Sequence, residues 1–233
     1  MIEKVARGIS EPMTEHVLYG VPGWGSALVE AMLAWCGLPF RFEDVEGFDE
    51  PGPSRDRLLA INLLAQVPTL ILPDGTVLTE SAAIALHLDE EHPSAQLAPP
   101  PGSPERATYL RRLVWLVANV YPTFGYGHYS ERWAPADADG LRAAANEHRE
   151  RLWRSLEAEV GSGPWVLGGC FSALDIYVGV MSRWQPRRAW FEAHCPQLAG
   201  IARRVDDVPR LIPVWERNFP KPAVPLACST PVP

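Results

Sequence analysis

The sequence lacks any apolar run fit to cross a bilayer, which needs about 18 or more mostly apolar residues. The best stretch, Leu58 to Pro73, is interrupted by Asn62, Gln66 and Pro68. Met1 to Ser10 carries Glu3, Lys4 and Arg7 and no apolar h-region, so it does not read as a signal peptide. Four cysteines, Cys36, Cys170, Cys195 and Cys228, stand far apart without a C-x-x-C pair. A disulfide framework and a zinc site are thereby disfavoured, and a reducing, cytoplasmic setting is expected. Six histidines are scattered with no H-E-x-x-H spacing, so no metal is expected. Basic residues are the minority: 21 Lys and Arg against 28 Asp and Glu, a formal charge of -7. With no Lys/Arg cluster to neutralise a row of phosphates, neither nucleic acid nor a membrane is an expected partner. No internal repeat is present.

What is present changes character near residue 93. Before it, short apolar runs alternate with helical patterns, as βαβ units do. Strands are expected at His16 to Gly20, Phe40 to Val45 and Val67 to Leu72, with a return strand starting at Val77-Leu78 after the Pro73-Asp74-Gly75 turn. Helices are expected at Ser26 to Trp35, ended by Gly37 and Pro39, at Arg55 to Asn62 and at Glu80 to His92. The order β-α-β-α-β-β-α is the thioredoxin arrangement. Pro99-Pro100-Pro101-Gly102 marks a linker. Beyond it the patterning is helical only: Glu105 to Val120, Asp137 to Val160, Ser172 to Trp184, and Cys195 to Trp215 broken at Pro209. The organisation read is an N-terminal extension (1–15), a thioredoxin-like domain (16–93), a linker (94–104), an all-helical domain (105–219) and a Pro-rich tail (220–233).

Four motifs follow one another in this frame. They are Leu18-Tyr19 with Pro22-Gly23-x-Gly25-Ser26, then Gln66-Val67-Pro68-Thr69-Leu70, then Glu80-Ser81-x-x-Ile84, and Gly169-x-x-Ser172-x-x-Asp175-Ile176. Together, from about residue 16 to 218, the chain resembles the cytosolic glutathione S-transferase family. The first loop is nearest to bacterial beta-type members, whose catalytic cysteine would fall at Gly25. The resemblance implies a glutathione site, a homodimer and a small electrophile as second substrate.

Each motif also has a physical reading. Pro68 inside an apolar strand run removes a ladder donor. A cis Val67–Pro68 bond, which the family implies, would leave the Val67 backbone facing a cleft, where an extended peptide such as glutathione could pair with it. An ordinary trans proline at a strand start is the alternative. Glu80-Ser81 opens a helix whose N-terminus favours an anion. In the family, Ser81 would meet the γ-glutamyl carboxylate and Glu80 the α-ammonium, with Gln66, Val67 and Pro68 completing the peptide site. A plain N-cap serine reads equally well. Ser172-x-x-Asp175 has capping-box spacing and is read as structural.

A transferase of this type must hold glutathione as thiolate, although free thiols ionise near ~8.5. The N-terminus of the first helix plus one hydroxyl donor would do so. Ser26 is the only hydroxyl from Val21 to Ser26 and is the candidate catalyst, although it also reads as an N-cap. Tyr19 is the rival donor. Cys36 stands ten residues on, roughly 15 Å of helix away. The stretch Asn119 to Trp133 is dense in aromatics, while Pro122, Gly125 and Gly127 argue against a regular helix. Tyr121, Phe124, Tyr126, His128 and Tyr129, facing Trp24, are expected to wall a pocket for a flat apolar electrophile, or else to fill the interdomain seam. The leading function is thiolate attack on that electrophile. The alternatives are a non-catalytic or regulatory glutathione binder, suggested by Gly25, Glu30 and the few basic residues of the first helix, or a glutathione-dependent isomerase or ether-cleaving relative.

Overall fold

A parallel strand pair needs a crossover, and the first half of the chain is built around one. In the computed structural model, which describes residues 14–220, β1 (His16–Gly20) runs parallel to β2 (Phe40–Asp44) across α1 (Ser26–Cys36). On its other side β1 pairs antiparallel with β3 (Thr69–Ile71), Leu18 opposite Leu70, and β3 with β4 (Val77–Leu78). The sheet order is β2-β1-β3-β4. Residues Ser26 through Leu33 of α1 are all buried, because the helix lies between the sheet and later helices. It stops at Gly37, whose φ of 69° suits glycine; the Leu38 N–H then donates to the Leu33 carbonyl at 3.0 Å. Helix α2 (Pro53–Leu59) begins two residues before the expected start, on a proline that needs no donor in a first turn. Helix α3 (Ser81–Glu91) closes this half.

The second half is helical, as expected: α4 (Pro104–Trp115), a π turn (Leu116–Val120), α5 (Tyr121–His128), α6 (Ser130–Trp133), α7 (Ala138–Glu159) and α8 (Ala173–Met181). There follow α9 (Arg188–His194), α10 (Pro196–Asp206) and α11 (Ile212–Asn218). Every residue of α8 is buried, which makes it the central post of this half. The two halves share one apolar core, in which Leu28, Met32 and Leu70 join Leu113, Trp153 and Tyr177.

Two expectations fail here. The aromatic stretch is helical: the π turn resets the hydrogen-bond ladder just before Pro122, which then sits in the first turn of α5 where its missing N–H costs nothing. The expected strand Val67 to Leu72 shrinks to Thr69–Ile71, because Pro68 brings no donor to the ladder. The predicted extension lies outside the described residues except for Thr14 and Glu15, and the predicted tail except for Pro220. Among the described residues, no helix is long and apolar enough to cross a membrane.

Candidate functional site

A cavity of about 1090 Å³ opens between the halves. One wall comes from the first half, through Trp24, Gly25, Asn62, Gln66, Val67, Pro68, Glu80 and Ser81. The facing wall comes from the second, through Tyr121, Phe124, His128, Tyr129, Arg149 and Trp184.

The first wall is built to receive backbone and anion. The Val67–Pro68 bond is cis. Neither the N–H nor the C=O of Val67 finds a hydrogen bond among the described residues, so both are open to the cavity. The preceding loop is pinned by Asn62 and Thr69: the Asn62 amide donates to the Gln66 carbonyl at 3.1 Å and the Thr69 hydroxyl to the same oxygen at 2.8 Å. Glu80 holds φ at 63°, a region where a non-glycine residue is strained, and such strain persists where surrounding structure enforces it. It delivers Ser81 to the first turn of α3, where the N–H groups of Ser81, Ala82 and Ala83 have no carbonyl partner among the described residues and Ser81 and Ala82 line the cavity. The Ser81 hydroxyl oxygen accepts from the buried Tyr177 hydroxyl at 2.6 Å, leaving its own hydrogen to donate. Burial keeps the Tyr177 phenol far above its ordinary range, so it remains a donor.

The β1–α1 loop supplies two more free donors, the N–H groups of Gly25 and Ser26, which have no acceptor among the described residues. Ser26 itself does not reach the cavity. Its side chain is fully buried, donates to the Val21 carbonyl at 2.9 Å and accepts from the Val21 N–H at 3.1 Å. Both capacities are spent inside the loop, so the expectation that Ser26 faces the thiol gives way. Tyr19 is no replacement, since its ring packs among Val21, Val45 and Phe48 and is absent from the cavity wall. The hydroxyl that does arrive comes from the other half. A Cβ placed on Gly25 would collide with the Tyr121 hydroxyl, so the phenol occupies the space that a residue-25 side chain would fill. Burial, with the Glu80 charge nearby, pushes the Tyr121 phenol well above its ordinary range; it is a proton-bearing donor at neutral pH.

The second wall follows from α5 being a helix. Tyr121, Phe124 and His128 recur at helical spacing on one face, and all three line the cavity, as does Tyr129. Trp24 meets His128 edge to face at 5.3 Å, and Phe124 meets Trp184 in the same way at 4.9 Å. Tyr126 falls on the opposite face, packs edge to face on Trp133 at 5.2 Å and is off the cavity wall, contrary to expectation. At the start of α8 the Asp175 carboxylate accepts from the N–H groups of Ser172 and Val166, each at 2.7 Å. No group of three His, Cys, Asp or Glu side chains is arranged to hold a metal among the described residues.

Residues that sequence reasoning missed fall into two sorts. Asn62 and Thr69 flank the Gln66–Pro68 motif and were within reach of it. Tyr177, Asn218 and Arg149 come from distant helices and Trp184 from the turn after α8, and only the fold joins them to the site. The Trp184 indole donates to the Gly23 carbonyl at 2.7 Å, and Asn218 accepts from the Gly23 N–H at 2.9 Å.

Comparison with known proteins agrees with this geometry. Residues 27–91 match the glutathione S-transferase N-terminal domain. The uncharacterized GST-like protein YncG of Escherichia coli (strain K12) is 43% identical over 201 residues, covering 86% of this chain and 97% of that protein. A glutathione transferase homolog from Sulfitobacter, solved with bound glutathione, superposes with a TM-score of 0.76 at 25% identity, covering 88% and 98% of the two chains. A sphingomonad glutathione S-transferase complexed with glutathione does so at 0.71 and 29% identity, covering 86% and 97%. This chain belongs to the glutathione S-transferase family.

Proposed function

We propose that the protein is a glutathione transferase that binds glutathione along the first wall and presents its thiolate to an electrophile against the second. One observation carries the reading: the unpaired Val67 peptide group, the α3 N-terminus with Ser81, and Gly25 line a single wall of a single cavity, with the free N–H groups of Gly25 and Ser26 at the adjoining α1 N-terminus. Val67 pairs with the tripeptide as an added strand. Ser81 and the α3 N–H groups take the γ-glutamyl carboxylate, and Glu80 the α-ammonium. The sulfur then lies at the α1 N-terminus beside the Tyr121 hydroxyl, where three donors stabilise the charged form. The thiol proton leaves to solvent; the sulfur lone pair forms the C–S bond, and the leaving group departs with its electron pair. The bound glutathione in the Sulfitobacter and sphingomonad relatives supports the peptide assignment.

A homodimer belongs to the same reading. Val77 on β4 and Leu110 and Val114 on α4 stay exposed, apolar positions from each half suited to a two-fold contact of first domain against second. The deciding experiment is a thermal melt and calorimetric titration with glutathione, followed by a conjugation assay with 1-chloro-2,4-dinitrobenzene. At 100 times Kd, binding should add about 2.7 kcal/mol of stability. Failure of millimolar glutathione to bind would end the proposal; binding without turnover on any electrophile would favour a non-catalytic role.

A further inference from the structure

The cavity's second wall is not simply apolar. It carries Arg142, Arg149, Arg183 and Arg187, against one carboxylate, Glu80, across the whole lining. Two of these cations are compensated: Arg142 pairs with Asp139 and Glu131, and Arg183 with Asp206 at 2.8 Å. Arg149 is different. It is 2% exposed, has no carboxylate within 4.0 Å among the described residues, and makes one hydrogen bond, to the Asn146 side chain. Its Nε is buried with no partner. The neighbouring carboxylate, Glu150, is engaged with Arg154 at 3.3 Å. The guanidinium lies over the Phe124 ring at 4.4 Å, and the same ring packs edge to face with Tyr121. Burial pulls Arg149 down to about 10, still far above neutral pH, so the group stays a cation.

A buried cation without a counterion is costly, and a planar fork of donors matches a carboxylate. The approach is kept open by a glycine: a Cβ on Gly127 would lie 3.8 Å from one guanidinium nitrogen, so any longer side chain there would cover it. From this unpaired, cavity-lining arginine we infer that the acceptor subsite takes an anionic electrophile, its carboxylate on Arg149, its flat body against Phe124 and its reactive carbon toward Tyr121. This deepens the transferase reading, since it names the class of second substrate, and it replaces the expectation of a wholly apolar one. Arg187, exposed on the same wall, adds to the positive field.

The test uses two pairs of compounds differing only in charge. In the first, 4-chloro-3,5-dinitrobenzoate and its methyl ester are conjugated with glutathione, each rate divided by its uncatalysed rate. In the second, unreactive 3,5-dinitrobenzoate and its methyl ester are titrated by calorimetry without glutathione. The acid should be preferred over the ester in both. Arg149→Met should lower kcat/KM and affinity for the acid by about ten- to a hundredfold, as loss of a charge-assisted contact does. Glutathione affinity should stay within about twofold, and the loss for the acid should exceed that for the ester by about tenfold or more. If Arg149→Met does not fold, Gly127→Leu decides by screening the intact guanidinium, with the same selective loss of the acid. Equal losses for acid and ester, or no preference in the wild type, overturn the inference. So does weakened glutathione binding in either variant, because the arginine would then serve the peptide. If glutathione fails to bind the wild type, the transferase reading falls, while the glutathione-free titration still decides the anion subsite.

Discussion

Removing one oxygen from Tyr121 isolates the chemistry assigned to it. Tyr121→Phe keeps the ring and its edge-to-face contacts with Phe124 at 6.5 Å and Trp184 at 5.9 Å, so packing is retained. Its hydroxyl has no hydrogen-bond partner among the described residues, so the free protein loses no internal bond. Stability should therefore change by about 0.5 kcal/mol or less. On the proposed reading, what goes is one of three donors to the sulfur, the others being the N–H groups of Gly25 and Ser26. A hydrogen bond to a charged partner contributes about 1.5–3 kcal/mol. Since a tenfold change in ionisation corresponds to about 1.36 kcal/mol, the bound thiol's pKa should rise by roughly one to two. Ultraviolet titration of the thiolate in the binary complex reads this directly. Below the wild-type pKa, turnover should fall by about tenfold to a hundredfold, matching that rise. At high pH it should converge with wild type, since the lost quantity is the ionised fraction. Glutathione affinity measured well below that pKa should be nearly unchanged, because the peptide and carboxylate contacts remain. A thiol titration that stays in place in Tyr121→Phe refutes the assignment and leaves the two backbone donors as the sole stabilisers.

Ser26→Ala should leave that titration unmoved but cost about 1–3 kcal/mol in urea unfolding, because it strands the buried Val21 N–H that its hydroxyl satisfies. Gly25→Cys should destabilise the wild type by overlap with the Tyr121 hydroxyl, and part of that loss should return in the Tyr121→Phe background; additive losses would contradict the overlap. Burial pushes the Asp175 carboxyl from 3.8 up to about 7. The folded chain thus holds a proton that the unfolded chain releases across this window, so the contribution is complete below pH 3.8 and is lost as pH rises through about 7. The slope should reach at most about 1.4 kcal/mol per pH unit and flatten in Asp175→Asn. Light scattering at micromolar concentration should give twice 25.8 kDa; a mass near that of one chain would dismiss the dimer.

The fold was legible because its signals are local. Alternation in Phe40 to Val45, the Gly37 stop and the uninterrupted apolar run before Pro73 each fix an element without knowledge of the rest. That Val67, Pro68, Glu80 and Ser81 share one cavity wall was legible for the same reason, since they sit in two short motifs. The hydroxyl proposed to neighbour the thiol was not. Ser26 has the right residue type at the right helix end, but a hydroxyl that close to the turn at Val21 finds backbone partners first. Tyr121 lies 96 positions beyond Gly25, and nothing in its own neighbourhood announces that its oxygen arrives over that glycine. Reading Pro122, Gly125 and Gly127 as helix breakers concealed it further. One π turn restores the helix, and with it the periodicity that separates Tyr121, Phe124 and His128 from Tyr126.

The contacts that cross between the halves bear on how this protein can be recombined. Gly23 is held by Trp184 and Asn218, Gly25 is overlain by Tyr121, and Ser81 takes the Tyr177 hydroxyl. The glutathione half is therefore not a transferable module: each of these anchoring positions is finished by a side chain encoded far downstream. A chimera joining residues 16–93 to the helical half of a relative would keep the sheet and the motifs. Wherever that relative lacks the phenols of Tyr121 and Tyr177, the graft would leave a vacancy over Gly25 and beside Ser81. The reciprocal graft, from a relative with a side chain at the position of Gly25, would bring a collision with Tyr121. A side chain at position 25 is thus accessible to evolution only alongside a change that removes the Tyr121 hydroxyl.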